Sequence, residues 1–393
     1  MAKASARKAL NKPTKLGDLP EWNLKDLYPG LDSPEVKRDL ELADSECAAF
    51  EQDFKGRLAA LAAGEGAGKV LAQAVKRYEA IAERLHRLMS YASLVHAENI
   101  TDSVRTKFFG DIDERVTAAS LHLLFFTLEL NRIDDTQLEA AMRDPALGHY
   151  RPWIEDVRKE KPYQLEDRVE ELFHEKSVTG YSAWNRLFDE TIASLRFKVA
   201  GKTLAIEQTL NLLQDVDGKK RRAAAEALAK TFRDNLRPFT LITNTLAKDK
   251  EISDRWHGFK DVADRMHLSN RVEPEVVEAL VSAVRAAYPK LSHRYYALKA
   301  KWFGKKRLPH WDRNAPLPKI AQRTIPWGDA RATVRPPMVR FHRRWPMSPI
   351  SFLRSAGSMP PSGPASSPAR SRRRRCRRCI RTSCSITWAS RAT

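Results

Sequence analysis

The sequence predicts a mostly α-helical protein with one small β-hairpin near residues 195–206, and three observations predict it. Apolar residues recur at alternating steps of three and four over long stretches. Ser and Pro stand where helices would begin, and only one short segment alternates apolar with polar residues about a glycine turn. The first helix shows the pattern: Ser33 is placed to cap it, Pro34 suits its first turn, and Val36, Leu40, Ala43, Cys47, Phe50 and Phe54 follow along one face. Later, Val277, Leu280, Val281 and Val284 form a stripe that must break or kink at Pro289, after which Leu291, Tyr295, Leu298 and Trp302 resume it as far as Gly304. Both stripes read as packing faces, not as cofactor-binding aromatics. The hairpin falls in Leu195–Ile206, where Phe197 and Val199 precede Ala200, Gly201 and Lys202, and Leu204 and Ile206 follow. It separates an N-terminal helical region, residues 19–192, from a second region, 193–334, both within the usual size of a domain. Residues 1–18 read as a basic flexible N-terminus. Residues 335–393, rich in Pro and Ser with charge of one sign, read as a disordered tail.

The 393 residues, 42% hydrophobic and 30% charged, suffice for two or three domains with a substantial core and exclude a disordered or fibrous chain. A formal net charge of +20 suggests a nucleic-acid or membrane-surface binder until the charge is located. From Arg335 onward there are 14 Arg and no Lys, Asp or Glu; the other 55 basic residues face all 49 acids, so residues 1–334 carry only +6. The basic stretch Met1–Lys15 has no apolar run behind it, and the longest apolar run, Leu121–Leu130, is interrupted by His122 and Thr127. A soluble cytoplasmic protein is expected, with no membrane and no specific nucleic-acid partner; nothing in the sequence sets an oligomeric state. Cys47 is the one cysteine before the tail, so no disulfide framework is expected there.

Four motifs each have a plainer reading. Gly64–Lys69 resembles a phosphate-cradling loop, but Ala63 stands where its first glycine belongs and Val70 replaces the magnesium-binding hydroxyl, so it reads as an inter-helix loop. His174-Glu175 opens like HExxH, but Val178 occupies the second ligand position, and none of the ten histidines has another four residues away. Cys376 and Cys379 have metal-knuckle spacing, yet six arginines surround them and no second such pair follows. The Arg372–Arg378 run would bind polyanions by counterion release without specificity. The acid pairs Asp134-Asp135 and Glu170-Glu171 read as solvated helix faces or caps.

From about Leu16 to Val334 the sequence resembles the oligoendopeptidase F family of zinc metallopeptidases, relatives of thimet oligopeptidase. The resemblance is carried by LPEWNLKDLYPG at Leu19–Gly30, FFTLELNRIDD at Phe125–Asp135, the long stretch His149–Gly180, AWNRLFDET at Ala183–Thr191, TLNLLQDVD at Thr209–Asp217 and HWDRNAPLP at His310–Pro318. It implies an N-terminal helical domain walling a deep channel and a helical catalytic domain with HELGH plus a distal Glu ligand. The activity it implies is hydrolysis of short peptides, with oligopeptides as substrates and zinc as cofactor. The implied zinc ligands and general base lie downstream of everything that matches, so no catalytic, cofactor-binding or metal-binding residue is named in this sequence and no zinc is expected in it.

Past Val334 the sequence leaves the family pattern. Either residues 335–393 are a functional disordered tail, or they are read out of frame. Joining each codon's third base to the first two of the next lets Arg354–Ser371 spell RWIDAPVRPGKLPGAF and Arg378–Thr393 spell VHPYVLLNYLGKPRD, two segments the family carries in that order. The second account implies a catalytic domain cut short of its zinc helix, inactive by itself, with unpartnered apolar faces after Ile206. The competing functions are a non-catalytic helical scaffold and an Arg-tailed polyanion binder.

Overall fold

Helix α1 (Pro34–Phe54) forms as its sequence dictates: the Ser33 hydroxyl accepts the Val36 amide at 3.4 Å, Pro34 occupies the first turn, and Val36, Leu40, Ala43, Cys47 and Phe50 are buried. The computed structural model describes residues 22–318 together with 325, 326, 328–330, 332 and 333. The segments 1–18 and 335–393, with Cys376, Cys379 and Cys384, lie outside the described residues.

After α1 come α2 (Leu58–Ala63), α3 (Ala67–Glu98), α4 (Ser103–Arg132), α5 (Asp135–Ala141), α6 (Pro145–Gly148) and α7 (Arg151–Arg158). Asp102, Asp134 and Asp144 cap α4, α5 and α6 by accepting amides of the first turn. The segment Gly64–Lys69 is split: Gly66 turns at φ +69° and α3 begins at Ala67, so the resemblance to a phosphate loop ends in ordinary helix. At Gly68 a Cβ would stand 2.3 Å from Asp144 Cβ and 2.6 Å from the Ala141 carbonyl oxygen, so α3 presses onto the α5–α6 connection where only glycine fits.

α1, α3 and α4 pack together over one large core running from Tyr28 to Val157. Its centre is aromatic: Phe50 lies 4.8 Å from Phe54, 5.8 Å from Phe125 and 5.1 Å from Phe126, and Tyr78 stacks on Phe126 at 5.0 Å. Cys47 is fully buried there; burial, with Asp44 and Glu46 nearby, pushes its thiol up to about 12, so it behaves as a small apolar residue.

Helices α8 (Asp167–Lys176) and α9 (Ala183–Ser194) follow, joined by a π-helical turn at Val178–Ser182, and neither has a buried residue. The hairpin is β1 (Phe197–Val199) paired antiparallel with β2 (Lys202–Leu204), in register Phe197 to Leu204, Lys198 to Thr203 and Val199 to Lys202. Its two-residue turn, Ala200 at φ 48° and Gly201 at φ 80°, has both central residues at positive φ, the twist that joins tight hairpin strands. Leu195, Phe197 and Val199 pack with Ala227 in a second, smaller core.

The second region adds α10 (Ile206–Asn211), α11 (Gly218–Asp234), α12 (Leu236–His257), α13 (Asp264–Asn270), α14 (Pro274–Ala287) and α15 (Ser292–Trp302). α12 stops at Gly258 in a left-handed C-cap at φ 80°, and the Phe259 amide returns to the Asp254 carbonyl at 2.9 Å. α14 ends before Pro289 as the sequence requires. The stripes on α14 and α15 do not form packing faces within the described residues: Leu280, Val281, Val284, Leu291, Tyr295, Leu298 and Trp302 are all exposed, as expected of unpartnered apolar faces after Ile206. The periodicity is real, but neither helix meets another described element beyond marginal contact. The described fold is mostly α with one small two-stranded antiparallel sheet, and no described helix is long and apolar enough to cross a membrane.

Candidate functional site

Two clusters of charged groups, both assembled from residues far apart in the sequence, tie the second region together and to the first. One sits where α8 meets α12. His257, at the C-terminal end of α12, is 9% exposed and Glu170 on α8 is 16% exposed. His257 Nδ1 donates to the Ser253 carbonyl at 2.6 Å and Nε2 points to Glu170 Oε2 at 3.5 Å, while the Leu165 amide donates to Glu170 Oε1 at 2.9 Å. Burial pushes the Glu170 carboxyl up, but the bonds from His257 and the Leu165 amide outweigh it and hold the group below the usual carboxylate range. Phe173 flanks the imidazole at 5.5 Å.

Beyond it, Tyr163 stacks on Phe259 at 4.1 Å and the Arg265 guanidinium lies over the Phe259 ring at 5.4 Å. Arg265 also donates to Ser253 Oγ at 2.8 Å, and Arg271 on the far side of α13 pairs with Asp156 of α7. A carboxylate that orients an imidazole is half of a general-base arrangement. Here both ring nitrogens are already engaged, so the pair holds α8 against α12.

The second cluster lies under the segment His310–Pro318. Arg221 on α11 donates from Nε and Nη2 to Asp312 Oδ1 at 2.9 and 2.7 Å, and from Nη1 to the Asp215 and Val216 carbonyls at 2.7 and 2.9 Å. Lys305 reaches the other Asp312 oxygen, and Lys299, buried on α15, donates to the Arg313 carbonyl at 2.7 Å. Burial and the neighbouring Arg221 push the Lys299 ammonium down despite Asp312. The Arg222 guanidinium covers Trp311 at 5.5 Å.

The other motifs find structural partners. His174 meets Ser120 Oγ at 2.8 Å, so the HE pair is helix surface packed on α4. Asp134 caps α5, Asp135 pairs with Arg158, and Glu171 lies 3.6 Å from Lys55. Glu170 is the correction: it is a half-buried partner of His257 and not a solvated face, because α12 folds across α8. Neither the Glu170–His257 pair, 87 positions apart, nor the Arg221–Asp312 pair, 91 apart, leaves a local spacing by which sequence reasoning could find it. Among the described residues no group of three or more His, Cys, Asp or Glu could hold a metal ion, so the described residues do not fit a zinc site.

The model of a family described as Oligopeptidase F matches residues 129–197, the stretch from the end of α4 to β1 that carries Glu170. Oligopeptidase PepF of Bacillus subtilis (strain 168) is 24% identical over 318 residues, covering 79% of this protein and 46% of that one. An oligoendopeptidase F homolog of Borreliella burgdorferi is 22% identical over 249 residues, 63% of this protein and 42% of its own length. The protein thus spans less than half the length of these relatives. The crystal structure of oligoendopeptidase-F from Enterococcus faecium superposes with a TM-score of 0.63 at 17% identity, over 79% of this protein and 60% of that chain.

Proposed function

From the premise that this protein is a relative of the oligoendopeptidase F family, we propose that its described part is the N-terminal helical portion and the opening of the peptidase domain of a cytoplasmic enzyme acting on short peptides. The observation that carries the reading is the family match at 129–197, which falls on the helices whose contacts join the two regions. In this proposal α1–α9 supply a rigid helical wall, the Glu170–His257 pair holds the second region against it, and the Arg221–Asp312 pair braces the second region internally. A wall of rigid helices would admit an unfolded peptide and exclude a folded protein.

Zinc belongs to the intact family by resemblance, where it would polarise the scissile carbonyl and activate a water. The described residues do not provide for it. We propose further that residues 335–393 are read out of frame, so that the protein with this sequence does not cleave peptides. Metal measured by mass spectrometry and cleavage of a quenched fluorescent peptide test both proposals, in the protein as it stands and in a chain with one frame restored around the codons for Arg331–Phe341 and extended through HELGH. Zinc and cleavage recovered together in the restored chain alone are expected. Chelator-sensitive cleavage by the protein as it stands would overturn the frame account, and an inactive restored chain would overturn the peptidase assignment.

A further inference from the structure

After α15 the chain doubles back, and a cavity of about 410 Å³ opens between that helix and residues 306–313. Tyr296, Ala300 and Pro309 give it an apolar back, while Lys306, Arg307 and Arg313 line the same cavity with cations. No acid lines it. The imbalance is wider than the cavity: from Lys299 to Arg313 there are six Lys and Arg against Asp312 alone. Asp312 is already engaged by Arg221 and Lys305.

Among the described residues Lys306, Arg307 and Arg313 have no ion-pair partner, in contrast to Arg132, Arg151 and Arg158 of the N-terminal region. Gathering cations of one sign against an apolar wall raises the local potential and draws in anions. Two guanidiniums and an ammonium present the donor forks that carboxylates and phosphates accept in pairs.

We propose that this cavity receives a compact anionic head group, carboxylate or phosphate, held by Arg307 and Arg313 with Lys306 and backed by Tyr296. The peptide reading above suggests one source, the terminal carboxylate of a short peptide, and inorganic phosphate is the other; the binding itself does not rest on that reading. Calorimetric titration of the whole protein at about 0.1 M salt with N-acetylated trialanine, its C-terminal amide and inorganic phosphate separates these sources.

The acid peptide is expected to bind about tenfold or more tightly than the amide, because the lost group is a charged acceptor. The double variant Arg307→Glu with Arg313→Glu, both exposed, should abolish binding while retention on heparin through the 14 tail arginines persists and the circular dichroism is unchanged. The milder Lys306→Gln should weaken binding without abolishing it. Phosphate binding alone, lost in the double variant, would support the site with phosphate as its ligand. Equal binding of acid and amide, binding unaffected by the double variant, or no binding of any probe would each overturn the proposal. Because the readout is affinity and not cleavage, its failure is separate from failure of the peptidase assignment.

Discussion

Arg221 and Asp312 meet with side-chain exposures of 3% and 0%, the guanidinium donating twice to one carboxylate oxygen although 91 positions separate them. Removing both from water is costly, and the cost is offset because all three guanidinium nitrogens donate, Nε and Nη2 to Asp312 and Nη1 to the Asp215 and Val216 carbonyls. The pair therefore locks the start of α11 to the segment that follows α15.

Truncating one partner leaves the other buried and unpaired. Arg221→Met should cost about 3–5 kcal/mol, read as a lower urea midpoint by circular dichroism. The double variant Arg221→Met with Asp312→Leu should recover part of that loss, since both buried charges leave together. A single variant with unchanged stability would show that the pair contributes nothing.

Acid should release the same lock. Burial pushes the Asp312 carboxyl up, but the bonds from Lys305 and Arg221 outweigh burial and hold it below the usual carboxylate range. A carboxyl depressed by folding adds stability above the unfolded value, about 4, and that stability is lost as the pH falls through the folded value. Thermal midpoints measured from pH 7 down to 2 should therefore drop more steeply below about pH 4 in the wild type than in Asp312→Asn. Parallel curves would rule this out.

Ala200 adopts φ 48°, where an L side chain crowds its own backbone. The left-handed region costs a non-glycine residue roughly 1–2 kcal/mol, and Asn tolerates it best among side chains. Ala200→Asn should stabilise the hairpin by up to about 1 kcal/mol, and Gly201→Ala, at φ 80°, should do the opposite. A calorimetric melt showing both shifts of the same sign would contradict the turn geometry.

The exposed apolar residues Leu280, Val281, Leu291 and Leu298 should bind a hydrophobic dye, since so many large exposed apolar side chains on neighbouring turns are uncommon on a soluble monomer. Leu280→Lys with Leu298→Lys should lower dye fluorescence and aggregation while changing stability by no more than about 0.5 kcal/mol per site, the range of exposed positions. A loss of several kcal/mol would mean that the face is packed.

What was legible from sequence was local. Ser33 and Pro34 announced α1, the spacing from Val36 to Phe50 chose its buried face, and Phe197 to Leu204 around Gly201 marked the hairpin, because caps, period and turn residues act within a few positions of themselves. The same logic correctly broke the stripe before Pro289, but helical period alone could not tell that its two halves would stay exposed; that expectation came from the resemblance and the departure after Val334. Periodicity says which face of a helix is apolar and nothing about whether another element covers it. Tertiary structure alone decided that Gly68 faces Asp144 with no room for a Cβ, that Glu170 lies against His257, that Arg221 spends its fork on Asp312, and that Lys306, Arg307 and Arg313 share one cavity. Each of these depends on how helices far apart in the chain close on one another, and such closure leaves no spacing in the sequence from which it could be read.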